Sequence, residues 1–279
     1  MTGPVVRRIV TLLFIATACG RTADVEVDVD APARAVPRAQ SAAAQALRFP
    51  RMRPASSRTL AAGDSPVTIV VDVRYAGEPL RDSVIRIPPS QADACGVSVV
   101  DSTVARNGTA VTDAVVWIEG PASTLLISPG GEYRPTVRLV ACRMRPRLQV
   151  AAPGSTLLLV TGDSMAVSMV VVPPDLATPV DTVPFLMEGQ LVPLQHRADS
   201  IGMLAVYALP FQWARAFVAI LPSSSGAITD VDGRARFMVD SRGKATTVRA
   251  WHPSLGVVSA RVPLLPTDTL HQVTLTFRR

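Results

Sequence analysis

The chain has 279 residues, of which 48% are hydrophobic and 18% are charged, and this composition excludes an intrinsically disordered protein. The formal net charge is +6, carried almost entirely by arginine, with Lys244 as the only lysine. Because these arginines are scattered, without a dense basic run or interleaved aromatic residues, they indicate neither a nucleic-acid partner nor an anionic membrane surface. The 24 prolines disfavour long helices, and the short apolar runs between turn residues predict many β-strands.

The N-terminus has the pattern of an export signal. Arg7 and Arg8 precede an apolar run over residues 9–18, and small residues precede Cys19. A basic start, a short apolar core and small residues before a cleavage site are typical of a secretory signal peptide. As a helix, this run spans roughly 15 Å, about half of a bilayer, so it is not predicted to be a transmembrane anchor.

Residues 16–20, Ala-Thr-Ala-Cys-Gly, resemble the lipobox of bacterial lipoproteins, although leucine is commoner at the position of Ala16. The resemblance implies that Cys19 is lipidated and becomes the mature N-terminus, and Gly20 after it fits delivery to an outer membrane. The alternative is ordinary cleavage near Ala18 and a free soluble protein. We expect residues 1–18 to be the signal peptide and residues 19–63 to be the lipidated cysteine and a flexible tether.

Two cysteines remain, Cys95 and Cys142. In an oxidising compartment an even pair predicts a disulfide, and the chain-entropy model gives such a loop a stabilisation of about 4 kcal/mol. A zinc site is not favoured, because no Cys-x-x-Cys or Cys-His cluster accompanies the pair.

The strand pattern begins at Pro66, and turn signals arrive about every ten residues, which predicts an all-β sandwich. Asn107-Gly108 lies between two segments of alternating apolar residues, and this pattern predicts a hairpin. Residues 173–195 are expected to be irregular and proline-rich. We predict strands over residues 67–73, 83–87, 96–104, 110–118, 147–150, 156–160, 166–172, 204–207, 216–221, 235–239, 246–251, 256–262 and 272–277.

Asp230-Val231-Asp232-Gly233 invites comparison with a calcium-binding loop. The full loop motif needs a bidentate glutamate at its twelfth position, which here is Ser241. We therefore predict a turn.

Several segments together resemble a family of exported proteins that couple a cupredoxin-like domain to a small carboxypeptidase-regulatory-like sandwich, members of which are described as methylamine-utilisation or plastocyanin-like proteins. The match spans roughly residues 65–265. Residues 227–237 and 250–256 look like the family's Thr-Asp-x-Asp-Gly-x-Phe and Trp-His-x-x-Leu-Gly series, and residues 212–218 resemble its Pro-Trp-Met-x-Ala-Tyr-Val. Residues 94–96 and 142–147 look like its two cysteine segments.

The resemblance implies an all-β fold in two parts. Residues 64–221 would form a cupredoxin-like β-sandwich, and residues 222–279 a small transthyretin-like or immunoglobulin-like β-sandwich of the carboxypeptidase-regulatory-like kind.

The resemblance also implies copper, which needs two imidazoles and a thiolate, usually with a weak axial methionine. The corresponding positions are Val167, Ala208, Phe211 and Ala214, and none of these side chains can bind a metal. We therefore expect no cofactor, and we expect Phe211 and Val167 to fill the vacated site with apolar volume.

Two further groups of residues leave alternatives open. Met165, Met169 and Met203 are core residues or a soft thioether site for Cu(I). For His252, beside Trp251, a structural role is favoured over that of a metal ligand or general base.

No sequence motif of a hydrolase, a zinc protease or a phosphate loop is present, so an enzyme is not predicted. We expect a non-catalytic lipoprotein of the cell envelope, facing the periplasm or the cell surface. It would bind the membrane through its lipid and a protein partner as a scaffold or accessory subunit, for example of a membrane complex. The alternatives are a copper electron-transfer or copper-handling protein with unconventional ligands, and a carbohydrate or peptidoglycan binder that uses exposed Trp117 or Trp251.

Overall fold

Alternating burial along the chain shows how the apolar pattern produces strands. In the strand Pro66–Tyr75 every second side chain, from Val67 onward, is buried, and those between are half-buried. A period of two is what a strand with one face on a core requires. The computed structural model describes residues 52–54, 56–59, 66–78, 82–101, 104, 106–120, 124–126, 134–173, 181–194, 201–211, 213–222, 225–240, 245–265 and 267–278. The expected signal peptide and Cys19 lie outside them.

Sheet I has seven strands, taken from both ends of the described chain. Numbered in chain order, they are β1 (Ser57–Thr59), β2 (Pro66–Tyr75), β5 (Arg106–Asn107), β6 (Ala110–Val111), β8 (Thr124–Leu126), β19 (Arg234–Asp240) and β22 (Leu270–Phe277). Strand β2 pairs antiparallel with β19 on one edge and parallel with β22 on the other.

Sheet II packs on one face of sheet I. Its strands are β7 (Val115–Glu119), β18 (Gly226–Ile228), β20 (Thr246–His252) and β21 (Gly256–Val262), in the antiparallel order β18-β7-β20-β21. The core between the two sheets contains Ile69, Val116, Phe237, Val248 and Phe277, among others.

Sheets III and IV form a second sandwich. Sheet III has the order β11-β17-β16-β13-β14 and is built from β11 (Leu148–Ala151), β13 (Val167–Val172), β14 (Asp181–Phe185), β16 (Gly202–Leu209) and β17 (Arg215–Ile220). Sheet IV has the order β10-β9-β12-β15 and is built from β9 (Thr136–Val140), β10 (Arg143–Arg145), β12 (Leu158–Thr161) and β15 (Leu191–Pro193). A separate ribbon pairs β3 (Ser83–Arg86) with β4 (Ser98–Asp101), and a 3-10 turn (Pro89–Gln91) and helix α1 (Ala92–Cys95) connect the two strands. Within the described residues, no helix is long and apolar enough to cross a membrane.

The two sandwiches share a third core, between sheets II and III. Val115, Trp117 and Trp251 of sheet II meet Phe217 of sheet III there, and the rings of Phe217 and Trp251 lie edge to face with centroids 5.6 Å apart. Strand β7 is therefore buried on both faces, and its sequence is apolar at four consecutive positions rather than alternating. The sheets succeed one another as four layers, I to IV, around three cores.

The expected all-β fold is confirmed: the described residues form several sheets of β-strands with very little helix. Strand pairing does not follow the expected division at residue 221. Strands β2 and β7 hydrogen-bond to β19, β20 and β22, so both strands belong to the C-terminal sandwich, whereas the β3–β4 ribbon between them packs against the core of sheets III and IV. Such pairing joins residues more than a hundred positions apart, and local patterns carry no signal for it.

Two further expectations differ from the structure. Residues 181–185 and 191–193 were expected to be irregular but form β14 and β15. Pro184 and Pro193 are tolerated there because each of these strands lies at the edge of a sheet, where a missing N–H does not break a ladder. The end of the expected flexible tether is docked. Met52 is buried in the shared core, the Arg53 N–H donates to Glu119 (3.2 Å), and β1 pairs with β8.

Candidate functional site

The end of β16 and the turn that follows it carry three of the four positions at which the resemblance implies copper ligands. The Ala208 N–H donates to the Ala214 carbonyl (2.9 Å), and the Ala214 N–H donates to the Phe211 carbonyl (3.0 Å). These bonds close the turn and hold the three residues together. The fourth, Val167, begins β13, which is adjacent to β16 in sheet III.

The structure brings all four side chains into one core, between sheets III and IV. Ala208 and Phe211 are fully buried, Ala214 is 1% exposed and Val167 is 4% exposed. The Phe211 ring packs against Trp213 with centroids 5.5 Å apart. Methyl, isopropyl and phenyl groups offer no lone pair to a metal, so the implied copper site does not fit these residues. The position is a packed part of the hydrophobic core.

The three methionines considered as a soft copper site do not meet. Met165 and Met169 pack against the core between sheets III and IV. Met203 points from the other face of sheet III and is buried in the core shared with sheet II. Neighbouring β16 residues alternate between these two cores, which separates Met203 from the other two. Among the described residues, no group of three or more His, Cys, Asp or Glu side chains is placed to hold a metal ion.

The turn between β9 and β10 lies beside this core and is held by a disulfide and three hydrogen bonds. Cys142 and Cys95 form the predicted disulfide, with 5.2 Å between their Cα atoms. The turn residues Ala141 and Cys142 have φ of 48° and 57°, and their two N–H groups donate to the two carboxylate oxygens of Asp163 at 2.6 and 2.8 Å. The Trp213 indole N–H donates to the Cys142 carbonyl (2.9 Å).

Asp163 and Trp213 are thus the residues that connect the loops at this end of the sandwich. Asp163 is 6% exposed, and a buried carboxylate needs donors such as the two turn amides. Asp163 was not identified from the sequence, where its only signal is its position two residues after the end of β12. The arrangement fixes loops rather than activating a group for chemistry.

His252 ends β20 and is 1% exposed. Its Nδ1 accepts the Ser254 N–H (3.1 Å), which closes the turn into β21. Burial, with a further contribution from the positive charge of Arg147, lowers the pKa of His252 to about 3. The imidazole is neutral near pH 7 and shielded from solvent, which suits a turn cap better than a general base.

Asp230 caps a turn. Its Oδ1 accepts the N–H groups of Asp232 and Arg234, both at 2.9 Å. Gly233 has φ of 73°, and a Cβ there would lie 2.7 Å from the Val73 carbonyl oxygen. This geometry is the turn that the sequence predicted.

The hypothesis of a carbohydrate-binding surface required exposed tryptophans, and this requirement is not met. Trp117 is fully buried and Trp251 is 1% exposed, both in the core shared by sheets II and III. The Trp117 indole N–H donates to Glu119 (2.8 Å), whose other carboxylate oxygen pairs with Arg249 (2.7 Å).

No family model matches this chain, and no curated protein matches it. Among solved structures, the copper-containing nitrite reductase from Thermus scotoductus SA-01 is 15% identical, with a TM-score of 0.28, over 34% of this chain and 24% of that one. A Cu(I) form of an amicyanin variant is 14% identical (TM-score 0.28) over 38% of this chain and 98% of its own. A purple cupredoxin from Nitrosopumilus maritimus is 13% identical (TM-score 0.26) over 31% and 99%. These similarities are weak and cover about a third of the chain.

Proposed function

We propose that this protein is a non-catalytic lipoprotein of the cell envelope that binds another envelope component as a scaffold or accessory subunit. In this proposal Cys19 carries the lipid, residues after it lead to the folded body, and the layered sheets present the binding surface. The proposal includes the finer family assignment, to exported proteins with a cupredoxin-like sandwich and a carboxypeptidase-regulatory-like sandwich.

One observation carries the proposal. The four positions implied as copper ligands hold buried apolar side chains, while a disulfide and three hydrogen bonds hold the loops beside them. A protein that transfers electrons through a metal needs its ligands, whereas a protein that binds a partner needs only its shape and surface. A binding role therefore best explains why the disulfide and the loop contacts are present without the metal ligands.

The folded body also suits a scaffold because its sandwiches are not joined by a free linker. They share a core that buries Trp117, Trp251 and Phe217. Burying aromatic side chains of this size contributes about 2 kcal/mol or more each, so the surfaces of the two sandwiches are held in a fixed relation.

Native co-purification tests the proposal. The full-length chain, tagged at its C-terminus, would be extracted from its own membranes in mild detergent, and bound proteins identified by mass spectrometry. A matched Cys19→Ser chain serves as the control for lipid attachment. We expect a stoichiometric protein partner, a diacylglyceryl-type mass on the N-terminal cysteine peptide, and loss of both that mass and salt-resistant membrane retention in the control.

Metal analysis of the same preparation separates this proposal from the copper alternative. Stoichiometric copper in a protein that arrives without a partner would contradict the scaffold proposal. An unlipidated Cys19 with an intact partner would contradict only the anchoring.

A further inference from the structure

The outward face of sheet IV carries a cluster of arginines that the sequence does not reveal. The two-residue turn at Ala141 and Cys142 sets the register of β9 and β10, so that Arg145 pairs with Arg138 and Arg143 pairs with Val140. The intervening residues of both strands point into the core. All three arginines therefore lie on the opposite, outward face.

Among the outward strand positions that the structure describes there is no acidic residue, although Glu188 is exposed in the turn at the edge of the sheet. The outward positions of the four strands, as far as the structure describes them, are Thr136, Arg138, Val140, Arg143, Arg145, Leu158, Val160, Leu191 and Pro193. None of the three arginines forms an ion pair with a described carboxylate. Like charges directly opposite one another on neighbouring strands, as in Arg145 and Arg138, destabilise a sheet. The cluster therefore does not serve the stability of the fold.

Exposed aliphatic side chains lie beside the arginines. Register across the sheet places Arg145, Arg138, Val160 and Leu191 in one row, in which Val160 is buried and Leu191 is 55% exposed. Val140, opposite Arg143, is 38% exposed. The turn that enters β15 exposes Leu186 at 72% and Met187 at 68%. The face combines three arginines with apolar side chains, and its edge adds exposed Leu186 and Met187 beside the carboxylate of Glu188.

We propose that the outward face of sheet IV, with the Leu186–Met187 turn at its edge, binds an anionic lipid surface. Guanidinium groups bind headgroup phosphates, and aliphatic side chains enter the boundary between headgroups and acyl chains. A nucleic acid is disfavoured, because the outward positions have no aromatic residue on which bases could stack. An acidic protein would match the charge but not the protruding Leu-Met pair. The inference depends on this face alone and not on the proposed function.

Vesicle co-sedimentation tests the inference. The full-length Cys19→Ser chain, which cannot carry the proposed lipid, serves as the wild type of this assay and would be titrated with phosphatidylglycerol–phosphatidylcholine vesicles and with pure phosphatidylcholine vesicles. The test variant is R138Q/R143Q/R145Q. The matched control, R236Q/R261Q/R278Q, removes the same charge from exposed arginines elsewhere. Every chain carries the same N-terminal segment, so differences between them report on the folded surface.

We expect the test variant to bind anionic vesicles on the order of 100-fold more weakly than wild type, from about fivefold for each arginine. The control variant should stay within a few-fold of wild type, and high salt should remove the difference between them. The exposed-tip variant L186S/M187S should also weaken binding without changing thermal stability.

Equal losses in the test and control variants would show an effect of net charge only and overturn the inference. Equal binding of wild type to neutral and anionic vesicles would overturn it too. So would a loss of binding to polyglutamate in the test variant with vesicle binding unchanged, since that result points to an acidic protein.

Discussion

Acid should destabilise this protein through His252. The pKa of this side chain falls from an ordinary 6.5 to about 3, mainly because the imidazole is buried. The unfolded chain therefore takes up a proton as pH falls below 6.5, while the folded chain does not, and stability present above that pH is lost on the way to pH 3. Linkage gives a loss of about 1.4 kcal/mol per pH unit over the middle of this range, or about 3 kcal/mol between pH 7 and pH 4.

Urea unfolding of wild type and His252→Asn at pH 7, 6, 5 and 4 measures this contribution. The asparagine amide oxygen can accept the Ser254 N–H in place of Nδ1 but does not titrate. Carboxylates contribute equally to both proteins, so the difference between the two pH profiles isolates the histidine. We expect the wild type to lose about 3 kcal/mol more than the variant between pH 7 and pH 4. Parallel profiles would refute the reasoning and show that the imidazole becomes protonated in the folded protein.

Three further substitutions test the frame around the core of sheets III and IV and the turn beside sheet I. The Cys95→Ser/Cys142→Ser protein should lose about 4 kcal/mol of unfolding free energy in urea, and an unchanged midpoint would contradict the role of the disulfide as a constraint on the unfolded chain. Trp213→Phe removes the donor to the Cys142 carbonyl and should cost about 1–2 kcal/mol, with increased amide exchange at the β9–β10 turn; exchange that stays at the wild-type rate would argue against the tether. Gly233→Ala adds a Cβ at 2.7 Å from the Val73 carbonyl oxygen, at a residue with a positive φ, and should lower the free energy of unfolding by about 2 kcal/mol or more. A thermal melt measures this loss, and an unchanged melting temperature would contradict the predicted clash.

Much of the local structure could be predicted from the sequence. Strand β2 alternates cleanly, and the strong turn signals at Asn107-Gly108 and Asp230–Gly233 lie where the chain turns. These features depend on residues close together in the chain. Strands β14 and β15 were missed because each carries a proline, which is tolerated only at the edge of a sheet, and edges are defined by long-range pairing.

Features that depend on distant pairing could not be predicted. The assignment of β2 and β7 to the C-terminal sandwich depends on their pairing with strands far along the chain. Trp117 and Trp251 were considered as exposed aromatics, but a second sheet covers them. The arginines at 138, 143 and 145 are not a dense run in sequence, and only the β9–β10 register gathers them on one face.

That the four positions correspond to copper ligands stays a prediction from the resemblance. The four positions identified by resemblance do come together in one core. The residues that hold the adjoining loops, Asp163 and Trp213, act through backbone contacts, for which the sequence offers no pattern.

The proposed function depends on these four positions being those of a copper site in which core residues replace the ligands. Copper titration of wild type beside a Val167→His/Ala208→Cys/Phe211→His/Ala214→Met variant, under reducing and oxidising conditions, tests it most directly. We predict no stoichiometric uptake by wild type, and one equivalent in the variant with the strong visible absorption of a copper–thiolate bond. Stoichiometric, tight copper in the wild-type protein, or a folded variant with a reduced thiol that binds none, would contradict the claim.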